Sequence, residues 1–190
     1  LPIVMFDRVA HDVMCDKVIV DDFDATYNAT LSLIKENRKK IVFISNIEAL
    51  SVGKLRERGY IKAILEHTSY EPLVLKMNRN KDLQQKIKPF FKKNSNIDGV
   101  VSADSSSAII SINIAIKLGL NVPKDISVIG FGSKSVSNLS VPRLTTIRQH
   151  AKVIGANAAQ LLIKRMENTS EKDVKTKIVK TSFVKSKSTL

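Results

Sequence analysis

Gly99-Val100-Val101-Ser102-Ala103-Asp104-Ser105-Ser106-Ser107-Ala108-Ile109-Ile110-Ser111-Ile112-Asn113-Ile114-Ala115-Ile116-Lys117-Leu118-Gly119, followed by Leu120-Asn121-Val122-Pro123-Lys124-Asp125-Ile126-Ser127-Val128-Ile129, is the stretch whose pattern decides the fold class. Gly99 to Ala103 is a short β-branched run, long enough for a strand and too short for a helix. From about Ser105 to Leu118 the pattern turns helical, rich in Ile and Ala, with Asp104 and the serines placed to cap the first turn. Gly119 ends that helix, Pro123-Lys124-Asp125 makes a turn, and Ile126 to Ile129 returns as a strand. Strand, helix, strand in this order is a βαβ unit, whose strands lie parallel beneath a crossover helix.

The same rhythm extends to both sides. Upstream, Pro72 to Leu75 reads as a strand and Asp82 to Lys93 as a basic amphipathic helix. Ile41-Val42-Phe43-Ile44 is apolar throughout, as a strand covered on both faces must be. Lys54 to His67 is helical, with Leu55, Tyr60, Ala63 and Ile64 facing inward. Lys17 to Val20 is a strand, and Asp21 or Asp22 can cap the helix in which Ala25, Ala29 and Ile34 mark a buried face. Ile3 to Phe6 is a further short strand. Beyond Gly130 a loop of Ser, Asn and Lys runs to Pro142, and Leu144 to Ile147 is a short strand. Ala151 to Glu167 is an amphipathic helix, and a polar stretch from Asn168 to Lys172 leads into one edge-like strand, Val174 to Val184. Strands and helices alternating every ~25–35 residues predict an α/β fold, a parallel-sheet αβα sandwich with helices on both faces.

With 190 residues and 43% hydrophobic content the chain can bury a substantial core, and 7 Gly and 5 Pro give no sign of disorder. No window reaches ~18 uninterrupted apolar residues, so no helical membrane span is expected. The opening Leu-Pro-Ile-Val shows no charged-then-apolar leader, and a lone cysteine is compatible with a cytoplasmic, reducing setting. The single cysteine, Cys15, reads as a small buried side chain. The net charge is +13, from 31 Lys and Arg against 18 acids, yet aromatics are only 5% and are not interleaved with the basic residues. A base-stacking surface needs that interleaving, so the charge reads mainly as a long-range electrostatic contribution.

Catalytic and cofactor motifs are wanting. Gly130-Phe131-Gly132 follows a strand, but Ser135 stands where a dinucleotide fingerprint needs its third glycine. There is no phosphate loop and no G-x-S-x-G elbow. Ser105-Ser106-Ser107 reads as a helix start. Asp21, Asp22 and Asp24 lack the Gly and distant Glu of a calcium loop, and His11, His67 and His150 are scattered. Neither enzyme activity nor a metal or cofactor is expected.

Five segments resemble the LacI/GalR family of bacterial transcription regulators. Leu1-Pro2-Ile3-Val4-Met5-Phe6-Asp7-Arg8 is similar to I-P-V-V-x-x-D-R, and Arg56-Glu57-Arg58-Gly59-Tyr60 to R-x-x-G-F/Y. Asp98-Gly99-Val100-Val101-Ser102-Ala103-Asp104 resembles D-A-I/V-x-x-x-N/D-D. Val122 to Phe131 is similar to V-P-x-D-I/V-S-V-I/V-G-F/Y, and Pro142 to Gln149 to P-x-L-T-T-I/V-x-Q, with Gly155 and Ala158-Ala159 at the expected offsets. The matches cover nearly the whole chain in order, and the last two are specific. P-x-L-T-T-I-x-Q also favours the regulators over periplasmic sugar receptors that share the fold.

The resemblance implies a two-lobed sensor of the periplasmic-binding-protein-like type I fold, with a small effector between the lobes. Crossings between lobes are expected at Asp7-Arg8, in the Lys134 to Ser137 loop and at Asn168 to Asp173. The C-terminal lobe would then be residues 9–134 and 173–190, and the end of the N-terminal lobe residues 1–8 and 135–172. The opposite cleft wall and a helix-turn-helix head that binds operator DNA are expected upstream of Leu1. Arg56 is implied to reach the ligand from the start of a helix, offering a planar fork of donors. Asp104 lies just past a strand's carboxyl end, where it would accept from ligand hydroxyls or cap the next helix. Asp7 and Gln149 match positions at the cleft edge. Ala108, Ile112 and Leu139 match a homodimer surface. Gly132 departs from the Asp found in many sugar-responsive members, removing an acceptor; besides a sugar, a sugar phosphate, another anion or a protein partner comes into play. Effector and operator binding would be linked, as in a repressor of this type. The alternative is a periplasmic solute receptor for transport or chemotaxis; direct DNA contact by this segment is a weaker reading.

Overall fold

A computed structural model describes residues 1–10, 12–77, 82–167 and 173–190. In chain order the first elements are β1 (Val4–Phe6), β2 (Asp16–Val20), α1 (Asp22–Lys35), β3 (Ile41–Ser45), α2 (Ser51–His67), β4 (Leu73–Lys76) and α3 (Leu83–Lys93). Then follow β5 (Gly99–Ser102), α4 (Ser105–Lys117), β6 (Ser127–Phe131), α5 (Lys134–Ser137), β7 (Thr145–Arg148), α6 (Ala151–Glu167), β8 (Thr176–Val179) and β9 (Ser182–Val184).

Six strands make the larger sheet in the order β4-β3-β5-β6-β7-β9, all pairs parallel except the last. Its central strands are apolar because helices cover both faces. In β3, Val42 and Ile44 pack with Ile87 and Phe91 of α3 and Ile112 and Ala115 of α4. Ile41 and Phe43 point the other way, onto Leu33 of α1 and Tyr60 and Ile64 of α2. This is the αβα sandwich expected from the alternation. Gly119, at φ 84, turns the chain out of the α4 end, as its position after the helical pattern implied.

Tyr60 ties α2 to this sheet. Its fully buried hydroxyl donates to the Ile41 carbonyl at 2.9 Å and accepts from the Leu73 N–H at 2.9 Å, stitching β3 to β4. Burial pushes the phenol well above its ordinary pKa. Tyr60→Phe leaves the Leu73 N–H without that acceptor, and urea unfolding is expected to show a loss of about 1–3 kcal/mol.

The smaller sheet holds β1, β2 and β8 in that order, all parallel. Val18, Val20 and Val179 pack there against Ile154 and Ala158 of α6. Asp16 fastens the unit: Arg165 of α6 donates to its two carboxylate oxygens at 2.7 Å each, and the Lys175 N–H adds a bond of 2.7 Å. The Arg165 hydrogen bonds hold the Asp16 carboxyl below its ordinary value, against the opposing effect of burial. The stabilisation is therefore present above pH ~4 and is lost as pH falls through the depressed native value. Unfolding midpoints compared at pH 6 and pH 3 should converge between wild type and Asp16→Asn as the pH is lowered.

Sheet membership corrects three expected boundaries. Strand β2 lies in the range expected for the larger lobe, yet it is hydrogen-bonded to β1. Strand β7, expected with the smaller unit, pairs with β6. The Val174 to Val184 segment is two strands, β8 in the small sheet and β9 antiparallel to β7 in the large one. The chain changes sheet after Val20, after Arg148 and between Val179 and Ser182, not at Asp7-Arg8 or Lys134 to Ser137. The physical reason is that residue period marks a strand without naming its sheet. The crossing expected at Asn168 to Asp173 lies, apart from Asp173, outside the described residues, as does His11. Residues Lys134 to Ser137, expected as loop, form the short α5, capped by the Ser133 hydroxyl.

Ala108 and Ile112 are also corrected. Both are fully buried inside the chain, on the α4 face that meets the sheet, and Ala108 lies against Gly130 of β6. Neither is available to a dimer surface. Leu139 is 74% exposed and Val141 83%, both on the loop after α5. Cys15 is buried and free.

Candidate functional site

Parallel strands bring their carboxyl ends to one edge, so the residues that follow β3, β5, β6 and β7 converge there. They are Asn46, Asp104, Gly132 and Gln149. The Asn46 N–H donates to Asp104 at 3.3 Å across that edge.

Arg56 is the centre of this region and is 4% exposed. Its Nε donates to Asp22 Oδ1 at 2.7 Å, its second terminal nitrogen lies 2.7 Å from the same oxygen, and its first donates to the Ala103 carbonyl at 2.6 Å. The guanidinium lies over the Phe131 ring, 3.5 Å from the centroid, a stacked cation–π contact. Burial pushes the Asp22 carboxyl up and the Arg56 guanidinium down, and each partner's charge counters the shift of the other. Arg56 therefore lies at the expected edge, but its donors already serve the fold. The charges of Asp7 and Asp104 act on Arg56 in the same direction as that of Asp22.

Asp104 takes one of the two roles the sequence allowed a carboxylate there, the helix cap. It caps α4, accepting from the Ser107 N–H at 2.9 Å and the Ser107 hydroxyl at 2.8 Å, while remaining half-buried at the strand edge. Asp7 and Gln149 are brought together: the Gln149 amide donates to Asp7 at 3.4 Å, joining the end of β1 to the end of β7. Asp7 holds φ 59, a left-handed conformation that aspartate tolerates better than most residues. Gln149 lines a cavity of about 240 Å³ with Gly132, Ser133, Lys134, Arg148 and His150.

The three crossings between sheets are tied to one another beside this region. Asp21, after β2, accepts from the Thr181 N–H at 2.8 Å and lies 3.5 Å from the Lys180 ammonium. His150, after β7, is 2.6 Å from the Ser182 hydroxyl. Sequence reading took Asp21 only as a helix cap and attached no role to His150, since nothing local announces a partner so far along the chain.

It also missed Asp22 and Glu48. Asp22 was read as a helix start, which it is; its second role as the Arg56 counter-ion depends on packing between α1 and α2. Both Glu48 carboxylate oxygens are shut from solvent with no hydrogen-bond partner among the described residues. No motif in the chain could have flagged it. Among the described residues, no cluster of His, Cys, Asp and Glu could hold a metal ion, and no helix is long and apolar enough to cross a membrane.

Residues 31–189 match the periplasmic binding protein-like domain family. The chain is 28% identical over 194 residues to the HTH-type transcriptional regulator RegA of Clostridium saccharobutylicum, covering 100% of this chain and 58% of that protein. It is 30% identical over 182 residues to the HTH-type transcriptional repressor PurR of Pasteurella multocida, covering 90% of this chain and 52% of the repressor. The chain thus spans little more than half the length of either regulator. It superposes with a TM-score of 0.88 and 21% identity on a periplasmic binding protein/LacI transcriptional regulator from Alkaliphilus metalliredigens complexed with D-xylulofuranose, over 100% of this chain and 71% of that one. At that identity the likeness is one of fold. The family match runs from within α1 to the last residues, through every strand of the larger sheet, and the chain belongs to the periplasmic binding protein-like domain family.

Proposed function

We propose that this chain is the effector-sensing region of a LacI/GalR-type bacterial transcription regulator, which reports ligand occupancy to a DNA-binding head elsewhere in the intact protein. The regulators RegA and PurR support this over a solute receptor. The observation that carries the mechanism is the cluster of crossings: three chain passages between two sheets meet beside Arg56, Asp7 and Gln149. In this reading the sheets are the cores of two lobes, residues 1–20 with 151–179 and residues 22–148 with 182–190. A ligand seated between them favours one relative orientation, and the operator affinity of the heads changes reciprocally. No bond is made or broken, and the setting is the cytoplasm.

The effector that suits the cleft is a neutral polyhydroxyl compound, a sugar, and not an anion. Arg56 is already neutralised by Asp22, while Asp7 and Asp104 offer carboxylate acceptors that suit hydroxyl donors. These acceptors stand in for the one missing at Gly132. Asp104 and Gln149 would contact ligand directly, with Asp7 orienting Gln149 and Arg56 acting through Asp22 and Phe131. D-xylulofuranose on the Alkaliphilus protein agrees with that chemistry. Calorimetry of the intact protein with neutral pentoses and hexoses, and with their phosphates, tests it. Saturable binding of a neutral sugar, weakened ~10-fold or more by Gln149→Ala, is expected; absence of saturable binding by any neutral sugar, or sugar binding unchanged in both Asp104→Ala and Gln149→Ala, would refute it.

A homodimer would use the exposed Leu139 and Val141. Leu139→Glu with Val141→Glu is expected to turn a dimer into a monomer in sedimentation of the intact protein, because two buried carboxylates would lack partners.

A further inference from the structure

A second cavity, of about 400 Å³, lies beside β7 and β9 and is lined by Lys134, Arg143, Arg148, Lys185 and Lys187. No acidic residue lines it, and among the described residues none of these five cations pairs with a carboxylate. The contrast within the chain is plain: Arg38, Arg56 and Arg165 each have a carboxylate oxygen within 4.0 Å. Five positive charges held around one concavity repel one another, and the repulsion is relieved when an anion enters.

The walls are fixed, which separates this cavity from a solvated run of lysines. The Lys187 N–H donates to the Arg143 carbonyl at 3.0 Å, and the Ser186 N–H to the Thr145 hydroxyl at 2.9 Å. Ser188, fully buried, accepts from the Thr145 N–H at 2.8 Å and donates to the Val128 carbonyl at 2.6 Å. The backbone carrying Lys185 and Lys187 is thereby locked onto β6 and β7. Arg148 supplies a second, independent sign: its Nε is shut from solvent and has no acceptor among the described residues. A buried guanidinium N–H without an acceptor is costly, so Arg148 lacks an internal partner that would compete with a ligand for its donors.

We propose that this cavity binds a small phosphate-bearing ligand, with the Arg148 and Arg143 guanidinium groups as forked donors and the three lysines as neutralising charges. Its volume is that of a small-molecule site. Its lining has no aromatic side chain on which a base could stack, while Asn138 and Ser186 add neutral polar groups. None of the Arg56 cluster lines it, although Lys134 and Arg148 also line the cavity beside Gln149; Arg143, Lys185 and Lys187 line this cavity and not that one.

The test is calorimetry of the intact protein with inorganic phosphate and then pyrophosphate, at ionic strength held constant with sodium chloride. One saturable site per chain is expected. Arg148→Gln and Arg143→Gln should each weaken it ~10-fold or more, Arg148→Lys less, and Lys92→Gln, outside the cavity, not at all. Arg143 is exposed, so its variant tests binding without burdening the fold. Absence of a saturable site, or wild-type affinity in both Gln variants, would overturn the proposal. So would a random DNA duplex whose binding falls with the same variants while pyrophosphate fails to compete, since the surface would then belong to nucleic-acid backbone.

Discussion

Asp22→Ala is expected to destabilise the protein by about 3–5 kcal/mol, read as a fall in the urea midpoint with unchanged slope. The partner left behind is Arg56, whose side chain is 4% exposed and which has Asp22 as its hydrogen-bonded counter-ion. Removing the carboxylate strands a guanidinium between Phe131 and the Ala103 carbonyl. The pair as a whole is worth far less than its rupture suggests, because two desolvated charges offset most of their mutual attraction. Asp22→Leu combined with Arg56→Met should therefore lie much nearer wild type than Asp22→Ala alone. Equal losses in the single and double variants would show that the pair contributes to stability outright.

Gly59→Ala is the second large effect, and its sign is the informative part. Within an exposed helix, Gly to Ala gains about 1 kcal/mol. At Gly59 the added Cβ would sit 2.3 Å from the Phe23 carbonyl oxygen and 3.1 Å from the Tyr27 nitrogen, both backbone atoms of α1. Backbone cannot swing aside as a side chain can, so α1 and α2 must separate, and a loss of about 1–3 kcal/mol or more is expected. Gly155 in α6 has nothing within 4 Å of the same added carbon. Gly155→Ala should stabilise by up to about 1 kcal/mol. If the two variants moved the urea midpoint in the same direction, the close approach of α1 and α2 would be wrong.

These two effects explain the Arg56-Glu57-Arg58-Gly59-Tyr60 segment in physical terms. Arg56 pairs with Asp22, Gly59 admits the Phe23 carbonyl, and Tyr60 bonds the sheet. Three residues of one helical face thus dock α2 against α1 and β3. In the sequence the segment marked a ligand-facing arginine. What it could not reveal was the counter-ion, because Asp22 lies 34 residues away and is itself a plausible helix start.

Elsewhere legibility followed the range of the signal. The β3, β5 and β6 strands were plain because burial on both faces leaves a continuous apolar run. The exposed Leu139 was legible because a large apolar residue in a polar loop is conspicuous. Ala108 and Ile112 were misplaced because a family position was followed in preference to the helical period, which turns both toward the sheet. The partition into two sheets was out of reach, since local pattern marks β2 and β3 as strands without naming their partners, and β2 pairs with β8, which lies far along the chain. The β8 and β9 strands ran together for the same reason: the bond that parts them joins Thr181 to Asp21, 160 residues away.

The most direct measurement is the affinity of the intact protein for its operator duplex, selected from random-sequence DNA, with and without a saturating sugar that binds the cleft. A change of roughly 5–150-fold is expected, matched by an equal change in sugar affinity when operator is present. An operator affinity indifferent to a sugar that demonstrably binds would contradict the coupling of the two lobes to the DNA-binding head.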